Sequence, residues 1–588
     1  MARQADRDVG RLIEQRQREV LGYNQPVALE DAENPTVTIE PEAYQTSPNP
    51  RSMDVPSEFE TSSRADDTTL AGDETLNVSI AATQPVATQP AEGQPEKTRF
   101  RDQPFALTDA LAYAQQHRRA LQTAKEDLYL SALALTLEHH LWTPQFSSNL
   151  RSVYGNYGEI RDFDQATRYV ADLTTAQRLP YGGEFTASMI STLIRDIGRG
   201  ITASESSQIQ LGFDVPLLRG AGHVAREELT RLERELTYAV RTYERFRRRQ
   251  LVDVSRQYFS LLATKQAVID AASSRVSAER DLQRANDMYK AGDINILDLG
   301  RAETRLLQQQ NNLARSREVF RAAVDQFKIA IGMPLEEPLG RDDLESIESI
   351  EQRIEEGSYP LLRMPPAAEQ AEFAAQTALD NRLDLLNSRD RIEDAQRGVA
   401  IARNAVLPEL DWTSSLTYDT DPEHFKLGAF EDARATWRSE LLLSINDRFL
   451  ERNNVRSSMI DVHRARRNYT DQIERVRAEV FSAINQIALQ RQLVRIQQRV
   501  LDVADQRRQY ARTMVDLGKL GNRDLVEAED AHIAALNALN LAKTDQWTSL
   551  LNFRLATGTL RVDEAGKQLE DIAAQAPASN MDASASIE

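Results

Sequence analysis
After Pro408 apolar and polar residues alternate along the chain. Leu410, Trp412, Leu416 and Tyr418 take one parity and Asp411, Thr413, Ser415, Thr417 and Asp419 the other. The same period returns at Trp437, Leu441, Leu443 and Ile445 against Arg438, Glu440, Ser444 and Asn446, and at Ile209, Leu211, Phe213 and Val215 against Gln208, Gln210, Gly212 and Asp214. After Pro144, Phe146, Leu150 and Tyr154 alternate with Ser147, Asn149 and Arg151. A period of two gives a strand one apolar and one polar face, which predicts four strands, at about 145–157, 205–216, 409–419 and 436–446. Between the first two, residues 168–179, the turn Pro180-Tyr181-Gly182-Gly183 and residues 185–194 predict an additional hairpin.

Elsewhere the pattern is helical. His223 to Ala291 contains neither Gly nor Pro over 69 residues, room for a helix of roughly 100 Å. The run turns at Gly292 and a second helical run returns. Thr108 is the expected N-cap of a helix reaching about Leu141, and a matching helix covers about Ala367 to Val406; Pro144 and Pro408 end them.

These elements occur twice. Met288, Gly292, Asp298, Leu299, Ala302 and Glu303 recur as Met514, Gly518, Asp524, Leu525, Ala528 and Glu529, 226 positions later, and Phe327, Ala330 and Gly332 recur as Phe553, Ala556 and Gly558. Upstream, Arg118 matches Arg382 and Pro144 matches Pro408 at an offset of 264, so the first copy carries 38 extra residues between its proline and its long helix. The duplication sets the domains: 1–100 disordered or extended, with a short polar helix near 8–20; 101–332 the first repeat; 333–366 a connector expected on the outside; 367–560 the second repeat; and 561–588 a disordered tail.

Composition narrows the function. The 588 residues carry a net charge of -19, against nucleic acid as a partner, and no cysteine, which excludes disulfides, thiolate metal sites and cysteine nucleophiles. The run Arg245, Arg247, Arg248 and Arg249 reads as a charged helix face that pairs with acids on a neighbour. His139 and His140 are adjacent and lack a third metal ligand. Neither glycine turn has a phosphate-loop Lys-Ser/Thr, and no catalytic constellation stands out, so neither an enzyme nor a cofactor is expected. No apolar run reaches 18 residues, which leaves a barrel as the way to meet a membrane. Met1 to Arg7 has no apolar signal core, so either the protein is cytosolic or a leader, such as one ending in a lipid-carrying cysteine, precedes it.

Four amphipathic strands with aromatics suit a lipid-facing wall, but four are too few to close, and an open edge in lipid leaves backbone groups unpaired. Several chains must then contribute: two give eight strands, three give twelve with room for a pore. The expected fold is mainly α with a β-barrel part: duplicated helical hairpins forming an α-barrel, plus four strands per chain in a twelve-stranded trimeric barrel. The alternative is a soluble coiled-coil scaffold or periplasmic adaptor, which leaves four strands at equivalent points of a duplication without a purpose.

From about Phe105 to Leu560 the chain resembles the outer-membrane efflux protein family, the TolC-like outer membrane factors. The resemblance rests on the duplication, on the tip pattern of Gly, then Asp, then Ala-Glu, and on Pro216-Leu217-Leu218-Arg219-Gly220 at a strand-to-helix joint. It implies a homotrimer in the outer membrane with helices in the periplasm, docked to a periplasmic adaptor and an inner-membrane pump, exporting small molecules or proteins without catalysis. It implies that the tips at Gly292 and Gly518 meet the adaptor, that Asp298, Asp524 and Glu527 line a periplasmic aperture, and that Pro144, Pro216 and Pro408 are strand–helix joints. The sequence departs from the family pattern at Leu520, where the resemblance implies an Arg.

Overall fold
The computed structural model describes residues 2–23, 104–156, 165–196, 201–292, 294–359, 362–363, 370–420, 430–517 and 519–561. The chain divides into two units, residues 1–29 with 103–588 and residues 30–102, and the described residues belong to the first. The 561–588 tail lies outside the described residues except for Arg561, as does all of the expected extended region after residue 23.

Each repeat is built on one very long helix. Helix α4 (Glu227–Ala291, 65 residues) and its counterpart α9 (Phe449–Asp516, 68 residues) run on because nothing in them interrupts the hydrogen-bond ladder. The returning helices α5 (Ile296–Ile331) and α10 (Asn522–Thr557) have only 36 residues each, about 54 Å at 1.5 Å per residue. The remaining length of each long helix is flanked by a pair of shorter ones. These are α2 (Leu107–His117) with α3 (Arg119–Leu141), and α7 (Ala371–Asn381) with α8 (Leu383–Ala405).

Each expected single helix is therefore two. The breaks fall at Arg118 and Arg382, both extended (ψ 116° and 118°), the two arginines that match between the repeats. Helix α2 also starts earlier than Thr108, at Leu107, with the Asp109 carboxylate accepting from the Ala106 N–H at 3.0 Å. At these breaks the return helices end. Gly332 (φ +83°) closes α5 so tightly that a Cβ would sit 2.2 Å from the His117 carbonyl oxygen, and at Gly558 a Cβ would lie 3.0 Å from the Asn381 oxygen.

Strands β1 (Gln145–Asn156), β2 (Gln165–Arg178), β3 (Glu184–Asp196), β4 (Ile201–Pro216), β5 (Glu409–Thr420) and β6 (Phe430–Ser444) form one antiparallel sheet in chain order. The sheet has six strands per chain, not four. The additional hairpin does not stand apart; β2 and β3 are inserted into the ladder between β1 and β4. Helices α3, α4, α8 and α9, which adjoin β1, β4, β5 and β6 in the chain, pack against one another in that same order.

The main core gathers where the return helices end. Tyr258, Phe259 and Phe327 pack there with Phe105 and Trp547, and the Tyr258 hydroxyl donates to the Phe105 carbonyl at 2.8 Å. The connector does not stay outside. Helix α6 (Ile347–Glu356) buries Ile347 and Ile350 in this core, and Lys265 donates to the Leu344 carbonyl at 2.6 Å.

The N-terminal segment is also ordered. Helix α1 (Ala2–Leu21) places Val9 and Ile13, one turn apart, into a core with Leu128, Leu135, Leu236 and Val240 of α3 and α4. The expected extended region therefore begins with a packed helix.

Candidate gate at the hairpin tips and the lining of the sheet
The pairing register of the sheet fixes which side chains share a face. Phe146 and Leu150 of β1 lie on the side of Tyr169 and Leu173 of β2, which continues through Phe185 and Met189 of β3 and Ile209, Leu211 and Phe213 of β4. It runs on through Trp412, Leu416 and Tyr418 of β5 to Trp437, Leu441 and Leu443 of β6. Much of this face is uncovered; Trp437 is 69% exposed. The Trp412 and Trp437 indoles on it each donate at 3.0 Å to a serine of the facing strand, Ser439 and Ser414.

The other face is mostly polar. Asn149 donates to Asp172 at 2.8 Å and Gln208 to Asp419 at 2.9 Å, beside Gln210, Thr413, Ser415 and Thr417. Val153, Val170, Ile190, Ile194 and Leu442 are apolar exceptions on it.

The strand–helix joints are made by short-range geometry. Pro144 lies between α3 and β1, Pro408 between α8 and β5, and Pro216 closes β4 opposite Asp411. Asn404 ties two of these joints together, accepting from the Gly220 N–H at 2.7 Å and donating to the Leu218 carbonyl at 3.2 Å.

At the opposite end are the tips. Gly292 caps α4 in the left-handed region (φ +85°), and Asn295 caps α5 by accepting from the Asp298 N–H at 3.0 Å. Gly518 lies outside the described residues. At the second tip Lys519 and Leu520 both donate to the Met514 carbonyl. Asp298 pairs with Arg301 at 2.8 Å, and Glu527 with Arg507 at 2.8 Å, a hydrogen bond that holds its carboxyl below the usual range. Asp524 is exposed in the first turn of α10. The three acids occupy the tip region, two of them already paired to arginine.

Sequence matching agrees with this architecture. Residues 374–559 match the family model described as Outer membrane efflux protein. Over 185 residues the chain is 24% identical to the Outer membrane efflux protein BepC of Brucella suis, covering 31% of this chain and 39% of that protein. The Campylobacter jejuni CmeC outer membrane channel superposes with a TM-score of 0.54 at 14% identity, covering 80% of this chain and 88% of its own. The open state of the Neisseria gonorrhoeae MtrE outer membrane channel gives 0.55 at 14%, covering 77% and 88%.

The chain has the fold of the outer membrane efflux proteins. Within this fold the duplicated hairpins are joined by a contact that no local pattern announces. Arg305 of α5, 7% exposed, reaches Asp281 of α4 at 3.1 Å and Glu529 of α10 at 2.8 Å, so one guanidinium bridges the first hairpin and the second. Burial pushes Asp281 above the ordinary carboxylate range and Glu529 pushes the same way, against the pull of Arg305. Asp530, beside the same guanidinium at 3.8 Å, is also raised by burial.

Two arginines of the basic run in α4, Arg247 and Arg248, are buried inside the efflux-protein fold, while Arg245 and Arg249 stay exposed. Arg247 and Arg248 grip the buried Glu244 at 3.0 and 2.7 Å, Arg248 also donates to the Gly558 carbonyl at 3.1 Å, and Arg245 pairs with Asp384 at 3.1 Å. Burial pushes the Glu244 carboxyl up, but the two arginines outweigh it and hold it low. Tyr23, just past α1, donates its hydroxyl to the same carboxylate. Among the described residues no group of acids and histidines is arranged to hold a metal, and no helix is long and apolar enough to cross a membrane.

Proposed function
We propose that this chain is one subunit of an outer-membrane exit duct, a passive channel for small molecules or proteins in a tripartite efflux or secretion system. The observation that carries the reading is the six-stranded sheet with one apolar and one polar face, mounted on helical hairpins several times longer than an ordinary helix. An apolar face that leaves Trp437 and Leu441 uncovered wants lipid, and the polar face then lines water. A soluble scaffold or adaptor has no use for such a face. The matched relatives, named for efflux or as outer membrane channels, support the same assignment.

In this reading the chain forms a homotrimer and its helices stand in the periplasm. The tips at Gly292 and Gly518 meet a periplasmic adaptor coupled to an inner-membrane pump. Asp298, Asp524 and Glu527 ring the aperture and favour cations. Arg301 and Arg507 temper that preference at two of the three positions. The duct needs no cofactor and performs no catalysis.

The test is cation preference in a planar bilayer, read as the reversal potential in a salt gradient. The detergent-purified assembly is expected to pass cations preferentially, and Asp298→Ala with Asp524→Ala to weaken that preference while conductance persists. A chain that stays in water without detergent and passes no current contradicts the reading.

A further inference from the structure
We infer that three copies of this chain close edge to edge, β6 of one on β1 of the next, into an eighteen-stranded barrel. The inference rests on the outer-membrane duct reading and adds the size of its membrane wall.

Three observations carry it. The first is register. The inserted hairpin keeps the two-faced pattern of the strands beside it, with Val170, Ile190 and Ile194 as exceptions on the polar side: Tyr169, Leu173, Phe185 and Met189 share the apolar face, while Arg168, Asp172, Thr186 and Ser188 share the polar one. A hairpin folded into the lumen or lying outside the wall has no reason to match that parity.

The second is its anchorage at the helix end of the sheet. Gly183 (φ +87°) lies so close to β4 that a Cβ would be 1.9 Å from the Asp214 carbonyl oxygen. Gly222 donates to the Tyr181 carbonyl at 2.8 Å, and Arg178 pairs with Glu138 of α3 at 3.2 Å. The turn is wedged between the end of α3 and the start of α4.

The third is width. Strands about 4.8 Å apart and tilted about 40° each take roughly 6.3 Å of circumference, so six cover about 38 Å. Four helices at about 8–10 Å spacing cover about 32–40 Å. Six strands therefore continue the wall of α3, α4, α8 and α9 without a taper, whereas four would cover only about 25 Å. Within the chain, β1 and β6 each have one partner, and in lipid their outer edges must be paired. All five neighbour pairs are antiparallel, so β1 and β6 run in opposite directions and a second copy fits both edges with the same antiparallel pairing. Eighteen strands give a barrel about 36 Å across between strand axes, about 1.5 times a twelve-stranded one, and wide enough for an aqueous lumen.

The chain has no cysteine, so introduced pairs report cleanly. Asn149→Cys with Asp172→Cys, and separately Ser191→Cys with Ser207→Cys, probe the inserted hairpin inside the wall. Ser147→Cys combined in turn with Arg438→Cys and Glu440→Cys probes the closing edge. The wild-type assembly is weighed by native mass spectrometry and viewed end-on by electron microscopy. The expected result is a three-chain mass, a ring of about 36 Å, intrachain bonds for the first two pairs and interchain ladders ending at three chains for an edge pair. A three-chain ring of about 24 Å without the intrachain bonds, or a two-chain ring, overturns the inference and leaves the duct standing. A soluble chain with no ring overturns the duct reading itself.

Discussion

Gly332 at the end of α5 sits directly on the His117 carbonyl at the break between α2 and α3, and Gly558 repeats the contact on Asn381. This is how a return helix half as long as its partner is spliced to a second helix to complete the wall. Both φ values are positive, but at Gly332 there is also no room for a side chain.

Gly332→Ala therefore combines left-handed strain of about 1–3 kcal/mol with a steric clash. Gly292→Ala, where a Cβ meets nothing within 4 Å, carries only the strain. Thermal unfolding of the assembled protein should fall much further for Gly332→Ala than for Gly292→Ala. Equal midpoints would contradict the splice.

Arg305→Leu removes the guanidinium that bridges the largely buried Asp281 and Glu529, while Arg284 and Arg512 still pull on Asp281. Breaking a buried pair from one side costs about 3–5 kcal/mol, and here the cost falls on the contact between the two hairpins. Hydrogen exchange should rise around residues 281–305 and 525–530 while the core at Phe259 and Phe327 stays protected. Exchange rising everywhere would mean that Arg305 supports the whole fold and not this seam.

The same seam has a pH sign. Burial raises the folded pKa of Asp281 above its usual 3.8, so the packed seam binds a proton more readily than a solvated one. Packing is thus strengthened as pH falls from the raised value toward the ordinary one, and weakened as pH rises through the raised value. Asp530 acts in the same direction. Mild acid should lower exchange at the tips, and Asp281→Asn should diminish that dependence while resembling the acid state at neutral pH. A tip that loosens as acid is added would reverse the assigned sign.

Helix α1 should behave as a detachable brace. Ile13→Asp puts a charge among Leu128, Leu135 and Leu236 and should release α1 to protease without unfolding α3 or α4. Tyr23→Phe removes the hydrogen bond to Glu244, worth about 1.5–3 kcal/mol for a charged acceptor, and the one accepted from Arg248 at 3.3 Å, while Arg247 and Arg248 still hold that carboxylate. Intact α1 after prolonged digestion of Ile13→Asp would show that other contacts fix it.

The long helices, the two-faced strands and the duplication were legible because each is a local, repeating pattern. The breaks at Arg118 and Arg382 were not, since neither position is Gly or Pro; the break is imposed by the glycine that abuts it from a helix more than 170 residues away. The inserted hairpin was visible as a hairpin, but Val170 and Ile190 blur its alternation, and its place in the ladder emerges only from register. The connector looked peripheral by composition, yet Ile347 and Ile350 are spaced to bury one face of a short helix. Arg305 and Glu529 lie 224 positions apart, and no window on the sequence joins them. The tip acids were found by resemblance, and their arginine partners at i+3 and across the hairpin by the structure.

The most direct measurement is single-channel conductance of the purified wild-type assembly beside Arg305→Leu, with the mass of both known. An exit duct narrowed at its tips predicts small steps for the wild type and steps several-fold larger for Arg305→Leu at the same mass. Wide, identical steps from both would place the constriction elsewhere, and silence from both in a membrane that holds them would contradict a duct.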